Sequence, residues 1–421
     1  MTRRHFLKGA AASIAALGTA ASAGGVFRPA RVRADATRTA RVVIVGASFA
    51  GISLARALGG LSPSTDILLL DPEPFFLFAP AQLRYAFGLV AFDRIARAYS
   101  LLRSRGLTVI RSAAVAIDRD RRRVITAAGA VDYDYLALAC GMRLAHEEIP
   151  GLAGAPDANL CPYDRGALLE LRRRIAGFRG GHVLIATPNG PYTCPPAPYE
   201  YALMWAAHVR RRRLKARITL VDPRSRPTPG AIAEGLTRAM DAYGSVLAYE
   251  PFTQVRSVDA RAGTAETEAG RLSYDLLSVI PPNRTMPFIT AAGLGDPFVD
   301  VDPRTFRSSR DERIYALGDN ADTPYAKTAH TAMESALVAA ASIAGDLGVA
   351  SPATILPTNV CYPMVAQDRA LRIETHWALE EDTAGAFHVR VSGRHDDRAR
   401  ASYARLRRQW ETRTLSTLFG P

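Results

Sequence analysis

The chain has 421 residues, 48% of them hydrophobic and 22% charged, and a formal net charge of +13. These are the proportions of an ordinary globular protein, and a chain of this length buries about 75% of its unfolded surface and divides into two or three domains. The positive balance suits an anionic substrate or an acidic partner. Nucleic acid is set aside, because the arginines are dispersed, no nucleic-acid module is present, and the densest run, Arg210–Arg213, reads as the solvated end of a helix.

The chain opens Thr2-Arg3-Arg4-His5-Phe6-Leu7-Lys8, continues through a weakly apolar, alanine-rich stretch, and reaches Ala21-Ser22-Ala23. Paired arginines, a mild hydrophobic region and an Ala-x-Ala site, in that order, predict a twin-arginine export peptide over residues 1–23, followed by a linker over 24–38. The stretch is too short and too rich in alanine for a membrane span, so none is expected in the mature chain. Export by this route places the protein in a bacterial periplasm, where disulfides persist. Losing Arg3, Arg4 and Lys8 leaves the mature chain at +10.

Arg41–Val45 predicts a short buried strand, Gly46-Ala47-Ser48-Phe49-Ala50-Gly51 a turn opening a helix, and Asp66–Leu70 a second strand ended by Asp71. This is a dinucleotide fingerprint. Gly46 permits the tight turn, Gly51 lets helix and strand approach, the helix N-terminus faces a pyrophosphate, and Asp71 can accept from a ribose hydroxyl. Ser48 replaces the usual middle glycine, so its side chain must turn away from the phosphates or donate to them. Val131–Gly141 predicts a strand closing this unit, and Arg313–Asn320 a strand ending on Gly318-Asp319. The alanine-rich run from Thr328 to Ile343 predicts a helix whose N-terminal amides can stabilise negative charge. The first nucleotide domain is thus split, 39–150 and 280–350, around an insertion at 151–279.

The insertion repeats the strand–helix–strand pattern with Gly181–Ala186 and Ala216–Asp222. After its first strand comes Thr187-Pro188-Asn189-Gly190-Pro191-Tyr192-Thr193-Cys194-Pro195-Pro196, with no Gly-x-Gly-x-x-Gly. Four prolines remove amide donors that a pyrophosphate needs, so a nicotinamide site is not expected. Cys194 occupies the place where such a site would be built. Four cysteines are present: Cys140 at the end of a core strand reads as apolar filler, and Cys161 is ambiguous, a Cys140–Cys161 bridge being open. No metal-ligand spacing and no Cys-x-x-Cys-His haem motif occurs.

Several stretches together resemble the flavoprotein subunit of flavocytochrome c sulfide dehydrogenase, a relative of the sulfide:quinone oxidoreductases. They are Pro191–Glu200 around Cys194, Val279-Ile280-Pro281-Pro282, Tyr315–Asp319, Asn359-Val360-Cys361-Tyr362, and the tail from Leu415 to Pro421. The resemblance covers nearly the whole mature chain. It implies an α/β fold of two Rossmann-like, glutathione-reductase-like domains with a C-terminal α+β interface region over 351–421, and FAD bound with help from Gly141, Gly318 and Asp319. It implies that Cys194 and Cys361 form a redox disulfide beside the flavin, that a small sulfur anion is oxidised to sulfane sulfur, and that electrons leave to a c-type cytochrome subunit in a heterodimer. The stretch Phe75–Pro80 lacks the cysteine that tethers the flavin in some members, so noncovalent FAD is expected. Glu200 is either a proton carrier near Cys194 or a helix N-terminal acid, and Lys327 either balances charge on the reduced ring or is a solubilising lysine. Tyr403–Thr412 reads as a solvated or partner-facing helix rather than a membrane-surface one. Rival readings are a quinone-linked enzyme, an oxidoreductase of another sulfur compound, and a non-catalytic component of a cytochrome complex.

Overall fold

The computed structural model describes residues 40–420 except 105, 156–157, 350–355 and 382–386. The export peptide and linker expected over 1–38 lie outside the described residues. In chain order the elements that build the site are strand β1 (Arg41–Val45), helix α1 (Phe49–Leu61), β2 (Asp66–Leu70), β3 (Thr108–Ile110) and β4 (Tyr135–Leu138). The insertion contributes β5 (Gly180–Ala186), α2 (Ala197–Arg212), β6 (Lys215–Val221), β7 (Leu247–Glu250) and β8 (Leu276–Val279). Then follow β9 (Ile314–Ala316), α3 (Ala329–Asp346), β10 (Thr358–Cys361), β11 (Met364–Ala366), β12 (Arg369–Glu381), β13 (Phe387–Gly393), β14 (Asp396–Arg400) and α4 (Ala401–Phe419).

Two parallel sheets carry the architecture. The first runs β9-β4-β1-β2-β3 and the second β7-β6-β5-β8. In the first, Val43 lies between Leu68 and Leu136; in the second, Val183 lies between Ile218 and Leu276. Strands covered on both faces need unbroken apolar runs rather than alternation, which is why Val-Val-Ile-Val and Val-Leu-Ile-Ala could be read directly. β9 joins the first sheet beside β4, although 175 residues separate Leu138 from Arg313.

The expected strand over 131–141 is two elements. Gly129–Asp132 belongs to a three-stranded antiparallel meander with Ala114–Asp118 and Arg123–Thr126, and the parallel strand starts only at Tyr135. Between them the Asp134 carboxylate accepts from the Arg41 amide at 2.6 Å, turning the chain into the sheet. A second meander, Val255–Ser273, occupies the matching place in the insertion. Arg210–Arg212 are exposed at the end of α2, where Arg213 takes a left-handed cap conformation.

The C-terminal block is a sheet on the long strand β12. β10 and β11 pair successively along it and are separated by Tyr362-Pro363. Proline cannot donate to the ladder, so the pairing breaks there and Cys361 is the last residue of β10. Helix α4 then packs back across the first domain. Its Phe419 meets Phe76 at 5.1 Å and its Trp410 meets Phe78 at 5.7 Å, centroid to centroid. Among the described residues no helix is long and apolar enough to cross a membrane.

Candidate functional site

A cavity of about 330 Å³ opens where the first sheet, α2, the C-terminal strands and α4 converge. Ser48 and Phe49 line it from the start of α1, and Gly141, Gly318 and Asp319 from the C-terminal ends of β4 and β9. The carboxyl edge of a parallel sheet is where open α/β folds bind ligands. Gly46, Gly51 and Asp71 are absent from the lining and shape it from behind. A Cβ on Gly51 would stand 1.8 Å from the Gly46 carbonyl oxygen, so only glycine lets α1 meet the turn this closely. Asp71 accepts from the Ala47 amide at 2.6 Å and the Glu73 amide at 2.8 Å. Its carboxylate therefore holds the turn from behind the cavity lining. Burial raises its pKa and those two amides oppose the rise. Ser48 makes no side-chain cap bond.

The second end of the cradle is locked by Asn320. Its Oδ1 accepts from the Gly141 amide and its Nδ2 donates to the Gly141 carbonyl, both at 2.7 Å. Gly318 is left-handed (φ +59°), and a Cβ there would meet Ala332 at 3.1 Å and Ala50 at 3.5 Å, so it brings α1 and α3 together. Thr328, Ala329 and His330 place the N-terminus of α3 on the cavity wall. Two helix N-termini thus border one cavity, an arrangement that suits a pyrophosphate and a ring that gains negative charge. The fit is that of a flavin dinucleotide. The cysteine-free stretch Phe75–Pro80 reaches the cavity through Ala79 and Pro80, while Phe76 and Phe78 are buried behind it against Phe49.

Cys194 and Cys361 both line this cavity, as free thiols. Cys194 sits on the loop between β5 and α2 in a left-handed conformation (φ +50°), which costs a residue with a Cβ about 1–2 kcal/mol. Three bonds hold it there. Its amide donates to the Lys327 carbonyl at 2.8 Å, its carbonyl accepts from the Ala197 amide at 3.0 Å, and the Tyr163 hydroxyl donates to the same carbonyl at 3.1 Å. On the other wall Asn359 in β10 accepts from the Thr328 hydroxyl at 2.7 Å, tying the Cys361 strand to the start of α3. Burial pushes the Cys361 thiol up to about 12, with Arg407 pulling it down and Glu200 pushing it further up. Burial also raises Cys194 well above its usual value, as do Cys361 and Glu200, while Arg407 opposes them. Each thiol is within electrostatic reach of the same two charged groups.

Those groups form a buried network. Arg407 on α4 donates to Glu200 Oε1 at 2.6 Å and to Glu411 Oε1 at 3.2 Å, and Glu411 also accepts from Arg84. The Arg407 and Glu200 side chains are 8% and 7% exposed. Burial tends to discharge Arg407, but the two carboxylates outweigh it and hold the guanidinium charged. Burial raises Glu200, with Arg407 opposing. The expectation of a solvated or partner-facing helix over Tyr403–Thr412 holds for one face only, where Arg405, Leu406, Arg408, Gln409 and Thr412 are exposed; the other face of α4 turns a polar stripe inward. Ala404, Arg407, Glu411, Thr414 and Leu418 are buried at three- and four-residue spacing. That spacing was the available signal, and it was hidden by the surrounding arginines.

Lys327 is not solvent-exposed either. It donates to the Ala321 carbonyl, lies 4.4 Å from the Phe298 ring centroid, and lines the cavity beside Asp319. Burial lowers its pKa and Asp319 and Asp322 resist; burial raises Asp319 and Lys327 resists. Cys140 lines the cavity and Cys161 is fully buried; both are free thiols, so the structure holds no bridge between them. Among the described residues no group of three His, Cys, Asp or Glu could hold a metal ion. Arg407, Tyr163, His330 and Trp410 are cavity residues that the sequence reading passed over.

Residues 169–281 match the family model described as "Sulfide dehydrogenase (flavocytochrome c) flavoprotein chain, central". The mitochondrial sulfide:quinone oxidoreductase of Mus musculus is 23% identical over 310 residues, which span 68% of this chain and 67% of that protein. Its counterpart in Schizosaccharomyces pombe is 24% identical over 323 residues, 68% of this chain and 70% of that protein. The crystal structure of the sulfide:quinone oxidoreductase from Aquifex aeolicus superposes with a TM-score of 0.75 at 18% identity, covering 90% of this chain and 92% of that one. The matched flavoprotein model and the cradle described above identify FAD as the cofactor.

Proposed function

We propose that this chain, a flavoprotein of the sulfide:quinone oxidoreductase-like family, oxidises sulfide to sulfane sulfur through Cys194 and Cys361. The observation that carries the reading is that two cysteines 167 positions apart line the same cavity as the dinucleotide cradle. The middle domain meanwhile offers Cys194 and prolines where a nicotinamide loop would stand. In the oxidised enzyme the two sulfurs are joined. Hydrosulfide attacks one of them and the S–S bond breaks. The attacked cysteine keeps the added sulfur as a persulfide, and the other leaves as a thiolate. FAD supplies the two-electron sink. Cys194 and Cys361 present sulfur to the cavity, and Glu200 can take or return a proton beside Cys194. Lys327 and the amides at the start of α3 offset negative charge on the cofactor side.

We further propose a c-type cytochrome subunit as the electron acceptor, in a heterodimer exported to the periplasm with noncovalent FAD. The match of the central region to a flavocytochrome c subunit and the arginine-paired N-terminus favour this. A quinone acceptor is the second reading, favoured by the names of the two mitochondrial relatives. Anaerobic mixing of the FAD-loaded protein with sulfide tests the chemistry. Rapid flavin bleaching is expected, slowed on the order of a hundredfold in Cys194→Ser. Equal rapid bleaching in both would sink the cysteine relay. Turnover with a c-type cytochrome and with a soluble quinone in parallel then decides the acceptor.

A further inference from the structure

We propose that Arg407 is the positioning residue that holds the two cysteine segments in register and attracts the sulfur anion that reacts with them. The proposal rests on the sulfide-oxidising reading and adds to it a residue from the far end of the chain.

The geometry is that of a clamp with four jaws. Toward the Cys194 side, Arg407 Nη1 donates to Glu200 at 2.6 Å, six residues beyond the cysteine on α2. Toward the Cys361 side, the same nitrogen donates to the Tyr362 carbonyl at 3.1 Å, one residue past the cysteine. Nη2 donates to the Pro80 carbonyl at 2.5 Å, in the first domain, and Nε to Glu411 at 3.2 Å. Only a planar fork with donors on both edges reaches all four, and lysine cannot. Breaking the β-ladder at Tyr362-Pro363 leaves the Tyr362 carbonyl free to accept, so the interruption that positions Cys361 also anchors it.

Of the charged groups lining this cavity, Glu200 pairs with Arg407, behind which Glu411 joins Arg407 to Arg84, while Asp319 and Lys327 offset each other. Arg407 lines the cavity together with both cysteines; its charge favours the anionic form of each thiol, and Glu200 opposes it at both. Hydrosulfide is an anion, and breaking the S–S bond leaves a second anion on sulfur. A guanidinium held in a water-poor wall acts on both more strongly than a surface charge does.

The test alkylates the cysteines of the reduced, FAD-loaded protein with neutral iodoacetamide and with anionic iodoacetate, resolving each site by peptide mass spectrometry. The ratio of the iodoacetate rate to the iodoacetamide rate at Cys361 cancels thiolate fraction and reports the local field. Arg407→Gln is expected to lower that ratio by about fivefold or more, and Arg407→Lys, which keeps the charge, to leave it within about twofold. Arg407→Lys is also expected to slow sulfide-driven bleaching by about tenfold, because it loses the Tyr362 and Pro80 anchors. A ratio unchanged in Arg407→Gln overturns the charge role. If Arg407→Gln does not fold, Arg407→Lys decides alone: wild-type bleaching in it overturns the clamp. Alkylation needs no sulfide, so a wild type that sulfide does not bleach would defeat the functional reading while leaving the Arg407 measurement standing.

Discussion

Cys194 is held in a backbone conformation it would not choose. A left-handed residue with a Cβ persists only where its surroundings fix it. Here the fixing groups are the Lys327 carbonyl, the Ala197 amide and the Tyr163 hydroxyl. Tyr163 is the replaceable one, since the other two are main chain. Tyr163→Phe keeps the ring and removes one hydrogen bond, so a stability loss of about 1 kcal/mol is expected. The functional effect should be larger than that suggests. The freed loop can relax toward an ordinary φ and carry the sulfur away, and sulfide-driven flavin bleaching is expected to slow by about five- to tenfold. Bleaching at the wild-type rate, with the same melting temperature, would show that the phenol is only packing. The tyrosine was invisible in the sequence, where it follows Cys161-Pro162 on an undistinguished loop.

At the scale of elements, α2 carries both the start of the site and a concealed pH sensitivity. His208 is 6% exposed, packed against Phe87 and Trp205 with ring centroids 5.8 Å away in each case. Neither ring nitrogen has a hydrogen-bond partner among the described residues. Burial lowers its pKa to about 4, and Arg212 and Arg211 add to the shift. Above about pH 6.5 the histidine is neutral in both states and full stability is present. As pH falls from there toward 4 the unfolded chain takes the proton and the folded one does not, so stability drops. The drop amounts to about 3 kcal/mol and levels off below pH 4. His208→Phe is expected to flatten that slope in urea titrations at pH 7 and pH 4.5. An unchanged slope would mean that the acid sensitivity lies elsewhere, for instance at His182 or His330, whose pKa values burial also lowers.

The same scale shows what a sequence can and cannot disclose. β1, β2, β5 and β6 were legible because strands buried on both faces must be continuous apolar runs. The turn at Gly46–Gly51 was legible because its glycines answer a steric demand. Cys194 stood out through its prolines. The corner at Tyr133-Asp134 was not legible, since Val131-Asp132 and Tyr135-Leu136 have the same β-forming character and only tertiary pairing assigns them to different sheets. Helix α4 misled because its inward face is ionic, and a polar stripe among exposed arginines reads as solvent-facing until its carboxylate partners, Glu200 far away in the chain and Glu411 one turn on, are seen together.

For the molecule as a whole, net charge and connectivity matter most. The site draws on residues from Ser48 to Trp410, so nearly the full described chain must fold before any of it exists. If the proposed cytochrome partner is acidic, the chain's positive balance, +13 for the whole sequence, predicts that it is steered electrostatically. Electron transfer to such a partner should slow steeply as ionic strength rises beyond about 0.1 M, where the Debye length falls to about 10 Å. Reduction of a neutral quinone should barely respond. A cytochrome rate indifferent to salt would argue against charge-guided docking.

In the proposed reaction sulfur is captured by one of the two cavity cysteines before electrons reach the flavin. The direct measurement is to mix the oxidised, FAD-loaded protein anaerobically with one equivalent of sulfide, quench by alkylation, and weigh the peptides that carry Cys194 and Cys361. The expected result is one extra sulfur on one of these two peptides, appearing together with the loss of flavin colour. Flavin reduction with no added sulfur on either peptide, or undiminished reduction after both are changed to serine, would contradict it.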